Sequence, residues 1–372
     1  MGLSNSDLQS FETSVPVARS LVCEQTARKF MTAILLVCAL AWLFLSPRLA
    51  PGLYMRFLLR PDKNCGSPED KQNLLALGGE EVFFLNGKGK LLRGFYFAGD
   101  PEKSQSPSFV LYSMGNDGDI EKRASILALL LRTGVPLFIY EYSGFGKSQG
   151  KPTLKNAIDD SQDAFDFVVE RFNKKSEEIV LYGESLGGAI AARLLSKRFA
   201  GALILKSSFS SLARISQELC VWLRIYPSIL LPLMDTGKKL QSVVVPVLII
   251  HGHEDRKGNW RHALTLYSNC PANRTLLWLP NSRHAFMTEA DEVVFFNGVS
   301  MMLEVVSKTT AMNQVHCDYY DLHQAGEMEE PALTVEFAAR LQLTIEDYRQ
   351  AAGSLSSFAS SIDGPQKFYD LR

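Results

Sequence analysis

The stretch that most constrains this chain is IVLYGESLGG, residues 179–188. A short apolar run, the length of a buried strand, enters Gly183-Glu184-Ser185-Leu186-Gly187. It continues into small residues suited to a closely packed helix, Gly188, Ala189, Ala191 and Ala192. A strand that turns sharply into a helix through G-x-S-x-G puts the serine on a strained corner. Glycines two positions to either side let neighbouring backbone approach where a Cβ would collide. Such a corner aims Ser185 Oγ away from the sheet and sets it at a helix N-terminus, where Leu186 N–H can face a developing oxyanion. Ser185 is the candidate nucleophile.

The chain carries its own control. Gly146-Lys147-Ser148-Gln149-Gly150 matches the same pentapeptide, but Lys151-Pro152 comes next and no apolar helix opens there. Ser148 reads as a loop residue. Context, not the pentapeptide, is what singles out Ser185.

That context extends along the chain. From about Glu80, apolar runs alternate with helical patterns, as in an α/β sheet. A hairpin is expected from Val82–Leu85, a turn at Asn86-Gly87-Lys88-Gly89, and Leu91–Phe97. Further strands are expected at Phe109–Tyr112, Pro136–Tyr140, Ile179–Tyr182, Ala202–Leu205, Val243–Ile250 and Leu276–Leu279. Helices are expected at Ile120–Arg132, ended by Gly134, and at Thr153–Phe172. At 46% hydrophobic and 21% charged residues the composition allows a substantial core. A net charge of -1 with no basic stripe excludes an electrostatic nucleic-acid binder.

A serine hydroxyl needs a base to take its proton and a carboxylate to orient that base. After Ser185, the order expected for this corner is acid, then histidine. The strand VVVPVLII runs into His251-Gly252-His253-Glu254-Asp255, where Asp255 is the favoured acid and Glu254 its rival. The last strand, LLWLP, runs into Asn281-Ser282-Arg283-His284, and His284 is the base candidate. His251 and His253 read as loop or core residues, His262 as a helix-surface residue, and His316 and His323 fall in the tail. The His251–Asp255 cluster lacks a second ligand set, so no metal is expected. The loop after Phe109–Tyr112, Ser113-Met114-Gly115-Asn116-Asp117-Gly118, offers Asn116 N–H as a second oxyanion donor.

Four blocks, EYSGFGKSQG (141–150), GESLGG, HGHED (251–255) and the His284 loop, occur in an order more specific than any one of them. Over about Glu80–Lys308 the chain resembles membrane-anchored serine hydrolases of the α/β-hydrolase superfamily, the group that includes ABHD-type depalmitoylases and lipid esterases. The resemblance implies an α/β-hydrolase fold, a mostly parallel central sheet flanked by helices. It also implies hydrolysis of an ester or thioester without a cofactor. Two departures stand out: Met114 occupies the place of a usual histidine, and Ser282-Arg283 replaces a usual glycine before His284. Met114 and Arg283 are thereby candidate substrate contacts. A non-catalytic protein of the same fold and a serine peptidase are the alternatives.

Outside 80–308 the chain divides further. Residues 1–29 form an N-terminal segment, and Met-Gly-Leu-Ser-Asn-Ser fits the myristoylation pattern at Gly2. Residues 30–60 are expected as a single-pass membrane anchor and juxtamembrane segment. The uncharged run FMTAILLVCALAWLFL, slightly short of a ~30 Å hydrocarbon core, carries that reading against a signal peptide and a core helix. Cationic residues flank it evenly, leaving the side of the membrane open. Residues 209–241, with CVWLRIYPSILLPLM, read either as a helical lid over the site or as a packed helix pair. The tail 309–372 is acidic, with a helix expected at 331–352. Six scattered cysteines without a CxxC read as reduced thiols.

Overall fold

The structure, a computed structural model, describes residues 26, 28–61, 66–104, 106–231 and 234–325. These fall into two compact units, Met1–Tyr54 with Ile225–Pro232, and Met55–Arg224 with Leu233–Arg372.

The second unit is built on an eight-stranded sheet. Its strands are β1 (Gly79–Leu85), β2 (Leu91–Phe97), β3 (Phe109–Ser113), β4 (Leu137–Tyr140), β5 (Ile179–Glu184), β6 (Ala202–Lys206), β7 (Val247–Gly252) and β8 (Arg274–Leu279). Their order across the sheet is β8-β7-β6-β5-β3-β4-β2-β1. The β1–β2 and β2–β4 pairs are antiparallel; all others are parallel. The hairpin turn works as its residues require. Asn86 Oδ1 accepts from the backbone N–H of Lys88 and Lys90, and Gly89 takes φ 67°. Strands β3 to β7 are buried along their whole lengths, which is why they read as unbroken apolar runs rather than alternating ones.

Helix α1 (Pro68–Ala76) precedes the sheet, α2 (Ala124–Leu131), α3 (Leu154–Phe172), α4 (Leu186–Leu194), α5 (Leu212–Leu219), α6 (Thr236–Leu240) and α7 (Arg261–Asn269) lie in the connections between strands, and α8 (Glu289–Ala325) follows the last strand. Thr153 caps α3 by accepting from Asn156 N–H, and Asn173 closes it in the left-handed conformation. Tyr96, Phe109, Phe138, Phe167 and Phe172 form an aromatic cluster between the sheet and α3.

Several boundaries differ from expectation. The strand expected from Val243 begins at Val247, because Pro246 has no N–H to give a ladder. The helix expected over 120–132 opens as a 3-10 turn, Glu121–Arg123, before α2. Helix α8 runs unbroken across the expected boundary at 308, while the helix expected at 331–352 lies outside the described residues. Cys38, Cys220 and Cys270 are free thiols.

In the first unit a helix covers residues 28–44 and ends in turns at Leu45 and Ser46. Its large apolar side chains, among them Phe30, Leu35, Leu36 and Val37, are exposed. Among the described residues no helix is long and apolar enough to cross a membrane. Trp42 stacks on Tyr226 with ring centroids 5.3 Å apart, and Arg48 donates from its backbone to Leu230 O and from its guanidinium to Ile229 O. The 209–241 stretch accordingly divides. Residues 225–231 group with the N-terminal helix, and the rest contains α5, a 3-10 turn and α6.

Candidate active site

Ser185 stands between β5 and α4 with φ 54° and ψ -115°, a conformation that L-residues adopt only when their surroundings impose it. The surroundings are backbone. A Cβ on Gly183 would lie 2.5 Å from Gly187 O. One on Gly187 would overlap Ser113 O and sit 2.6 Å from Met114 O. One on Gly188 would lie 2.7 Å from Ser208 Cβ. The glycines are therefore the space in which the corner is folded, and the corner is pressed against the loop that carries Asn116. Leu186, first residue of α4, has no intrahelical acceptor for its N–H.

Asp255 lies just past β7 and is almost wholly buried. Its Oδ1 accepts the N–H groups of Lys257 and Gly258, each at 2.8 Å, and its Oδ2 lies 2.7 Å from His284 Nδ1. Burial pushes this carboxyl up. The hydrogen bond and charge of His284 and the Gly258 N–H outweigh that and hold it below its ordinary value. It is ionised at neutral pH. Glu254 points elsewhere, its carboxylate 3.7 Å from Arg283 Nε in an exposed pair. Asp255 and His284 are hydrogen-bonded, whereas Ser185 Oγ makes no hydrogen bond to His284 among the described residues. Such contacts commonly tighten only around a bound substrate.

The other residues selected from the sequence occupy varied settings. Asn116 is half-buried; its carbonyl accepts from Arg60 N–H, and Asp117–Gly118 pair with Arg60–Pro61. Met114 is fully buried in the hydrophobic core, so its position gives no support to a contact with substrate. Arg283 is exposed. Ser148 is a structural residue, its Oγ donating to Glu141 O and accepting from Arg93 N–H. His251 is buried with Nε2 3.0 Å from Gly258 O, which ties the acid loop from its other side. Burial lowers its pKa and keeps the ring neutral. His262, expected on a surface, is fully buried. It faces inward with Ala263 and Leu266 and joins Ser210 Oγ at 2.9 Å to Glu218 Oε2 at 3.1 Å.

Sequence reasoning missed a charged group directly beside Ser185. Glu184 is buried, accepts from Tyr112 OH at 2.7 Å, and lies 3.3 Å from Arg123 Nε and 3.7 Å from Lys206 Nζ. Burial pushes its carboxyl up, but Arg123, Lys206 and Tyr112 together bring it down to about 2. Charged residues at the ends of otherwise apolar strands, Glu184 and Lys206, mark the place in the sequence, although not the partners.

Comparison with known proteins agrees with this topology. Residues 110–233 match the family model described as serine aminopeptidase, S33. The α/β-hydrolase domain-containing protein aho-3 of Caenorhabditis elegans is 33% identical over 179 residues, 47% of this chain and 52% of its own length. The α/β-hydrolase domain-containing protein 17C of Xenopus tropicalis is 35% identical over 181 residues, 47% of this chain and 55% of its own. The chain thus spans about half the length of these curated relatives. Among solved structures, an esterase of Pyrococcus furiosus superposes with TM-score 0.54 at 19% identity, covering 66% of this chain and 97% of that one, a likeness of fold. The strand order, the strained corner between β5 and α4 and the likeness to this esterase show an α/β-hydrolase fold.

Proposed function

We propose that this protein is a serine hydrolase that cleaves carboxylic ester or thioester bonds, of acyl-lipids or acylated proteins, through an acyl-enzyme on Ser185. The observation that carries the reading is the buried Asp255–His284 contact at 2.7 Å, with Ser185 on a strained strand-to-helix corner. His284 Nε2 takes the Ser185 proton as Oγ attacks the acyl carbonyl, and Asp255 stabilises the imidazolium. The N–H groups of Leu186 and Asn116 hold the oxyanion. The leaving alcohol or thiol departs with the proton from His284. Water then attacks the acyl-enzyme, His284 again taking the proton, and releases the acid and free Ser185. No step calls for a cofactor. A fluorophosphonate probe is expected to label wild type and not Ser185→Ala; equal labelling of both would sink the assignment.

Amide cleavage is a second reading, favoured by the description of the matching family model as a serine aminopeptidase. Amides and esters share the tetrahedral intermediate, so turnover of aminoacyl p-nitroanilides against p-nitrophenyl acyl esters separates the two.

Association with a membrane surface belongs to the same proposal. The exposed large side chains of the 30–45 run are apolar, and lipid is a natural cover for them. Replacing Leu35 and Leu36 together by lysine is expected to move the protein from the membrane pellet to the supernatant. An unchanged distribution would refute the anchoring role.

A further inference from the structure

One short segment touches both halves of the site. Strand β6 ends at Lys206, and Lys206-Ser207-Ser208 runs beneath the corner that carries Ser185. Toward the nucleophile, Lys206 O accepts Ser185 N–H at 2.9 Å, and Ser208 Oγ donates to Ser185 O at 3.0 Å. Toward the base, Lys206 Nζ and Ser207 Oγ each donate to His284 O at 3.2 Å.

Two neighbouring side chains on a regular strand point to opposite faces and cannot meet at one carbonyl. Here Ser207 has φ 48°, in the left-handed region that favours glycine, and the alternation is broken. Both donors then converge on His284 O. The ammonium is itself held, since Lys206 is buried with Glu184 Oε1 3.7 Å away, and Glu184 is fixed by Tyr112 and Arg123. The segment around His284 needs a tether, because residues 284–288 form no helix or strand and Phe286 is exposed.

We infer that Lys206-Ser207-Ser208 is a positioning strap that sets the separation of Ser185 and His284 by holding both backbones from one strand end. The inference rests on the proposed roles of those two residues. None of the three touches the reacting atoms; they act through the backbone they hold. A purely structural role, with Lys206 only neutralising Glu184, has different consequences. Ser207→Ala changes no charge and leaves the Glu184 network whole, removing one donor to His284 O. Lys206→Met removes the other donor, and Lys206→Arg restores a cationic donor.

The test is p-nitrophenyl ester hydrolysis by the full chain, with rates expressed per active site titrated by a fluorophosphonate. Misplacing a reacting group by about 1 Å costs on the order of a hundredfold. The strap therefore predicts kcat lower by roughly a hundredfold for Lys206→Met and roughly tenfold for Ser207→Ala, with KM unchanged and most of the loss recovered in Lys206→Arg. A structural role predicts a lower titratable fraction and lower Tm with normal kcat per titrated site. Should Lys206→Met fail to fold, Ser207→Ala decides: an unchanged kcat per titrated site overturns the strap. Labelling of wild type that does not depend on Ser185 would overturn the underlying reading and the strap with it.

Discussion

Replacing Asp255 by asparagine preserves shape and removes one charge, and the hydrogen bonds around it dictate the outcome. Oδ1 accepts two backbone N–H groups, from Lys257 and Gly258, while Oδ2 faces His284 Nδ1. An asparagine amide has one oxygen and one NH2. Turning the NH2 toward these two N–H donors would leave three donors facing one another, so the amide oxygen takes the Oδ1 position. The NH2 then points at His284 Nδ1, which must accept. That fixes the imidazole proton on Nε2, the atom that should receive the Ser185 proton. The base is held in the wrong tautomer while every heavy atom stays in place. In the serine-protease triad the same exchange lowers kcat by about 10⁴, which at about 1.36 kcal/mol per tenfold is ~5.4 kcal/mol of transition-state stabilisation. The assay is p-nitrophenyl ester turnover against pH, alongside thermal unfolding. The expected result is a loss on the order of 10⁴ in kcat near neutrality, with a folded protein. Activity within tenfold of wild type would refute this account of Asp255, and would turn attention to Glu254.

The same geometry dictates three further outcomes. Gly187→Ala puts a methyl group into Ser113 O and within 2.6 Å of Met114 O; since backbone must move, a loss of about 3 kcal/mol or more is expected by chemical denaturation, and a loss below 1 kcal/mol would contradict the packing described. Glu141 is buried and shares Arg93 with Glu81 and Glu121, so burial holds its carboxyl up to about 7. The folded state then binds this proton more tightly than the unfolded chain, and stability falls as pH rises from about 4.5 to about 7, by at most about 1.4 kcal/mol per pH unit. Glu141→Gln should flatten that part of the stability–pH curve relative to wild type; parallel curves would refute it. Burial keeps His262 neutral, with its pKa below the usual value, so His262 contributes stability that is lost as pH falls below about 6.5. His262→Gln, measured by Tm from pH 5 to 8, is expected to lose most of that acid dependence, and an unaltered slope would count against it.

How much of the fold and site was legible in the sequence depended on the kind of force involved. Strands β3 to β7 declare themselves because burial on both faces demands continuous apolar runs, and the corner at Ser185 because only glycine tolerates the backbone approaches at positions 183 and 187. Ser148 was separable from Ser185 by the residues C-terminal to each, Lys151-Pro152 in one case and a small-residue helix in the other. Its hydrogen bonds to Glu141 and Arg93 show what it does instead. The strand start at Val247 rather than Val243 turned on one missing N–H at Pro246. Long-range partnerships were not legible. The inward turn of His262 depends on Ser210 and Glu218, the pairing of Glu184 with Arg123 and Lys206 joins three elements, and the burial of Met114 depends on side chains from several strands. No local pattern of residues encodes such contacts, since each partner alone reads as an ordinary polar or apolar position.

The central claim is that Ser185 carries the acyl group. The most direct measurement is acid quenching during the first turnover of a p-nitrophenyl acyl ester, then mass spectrometry of the peptide spanning 179–188. The account predicts one acyl mass increment on Ser185 in wild type and its absence in Ser185→Ala. An increment on any other residue, or ester turnover that persists in Ser185→Ala, would contradict it.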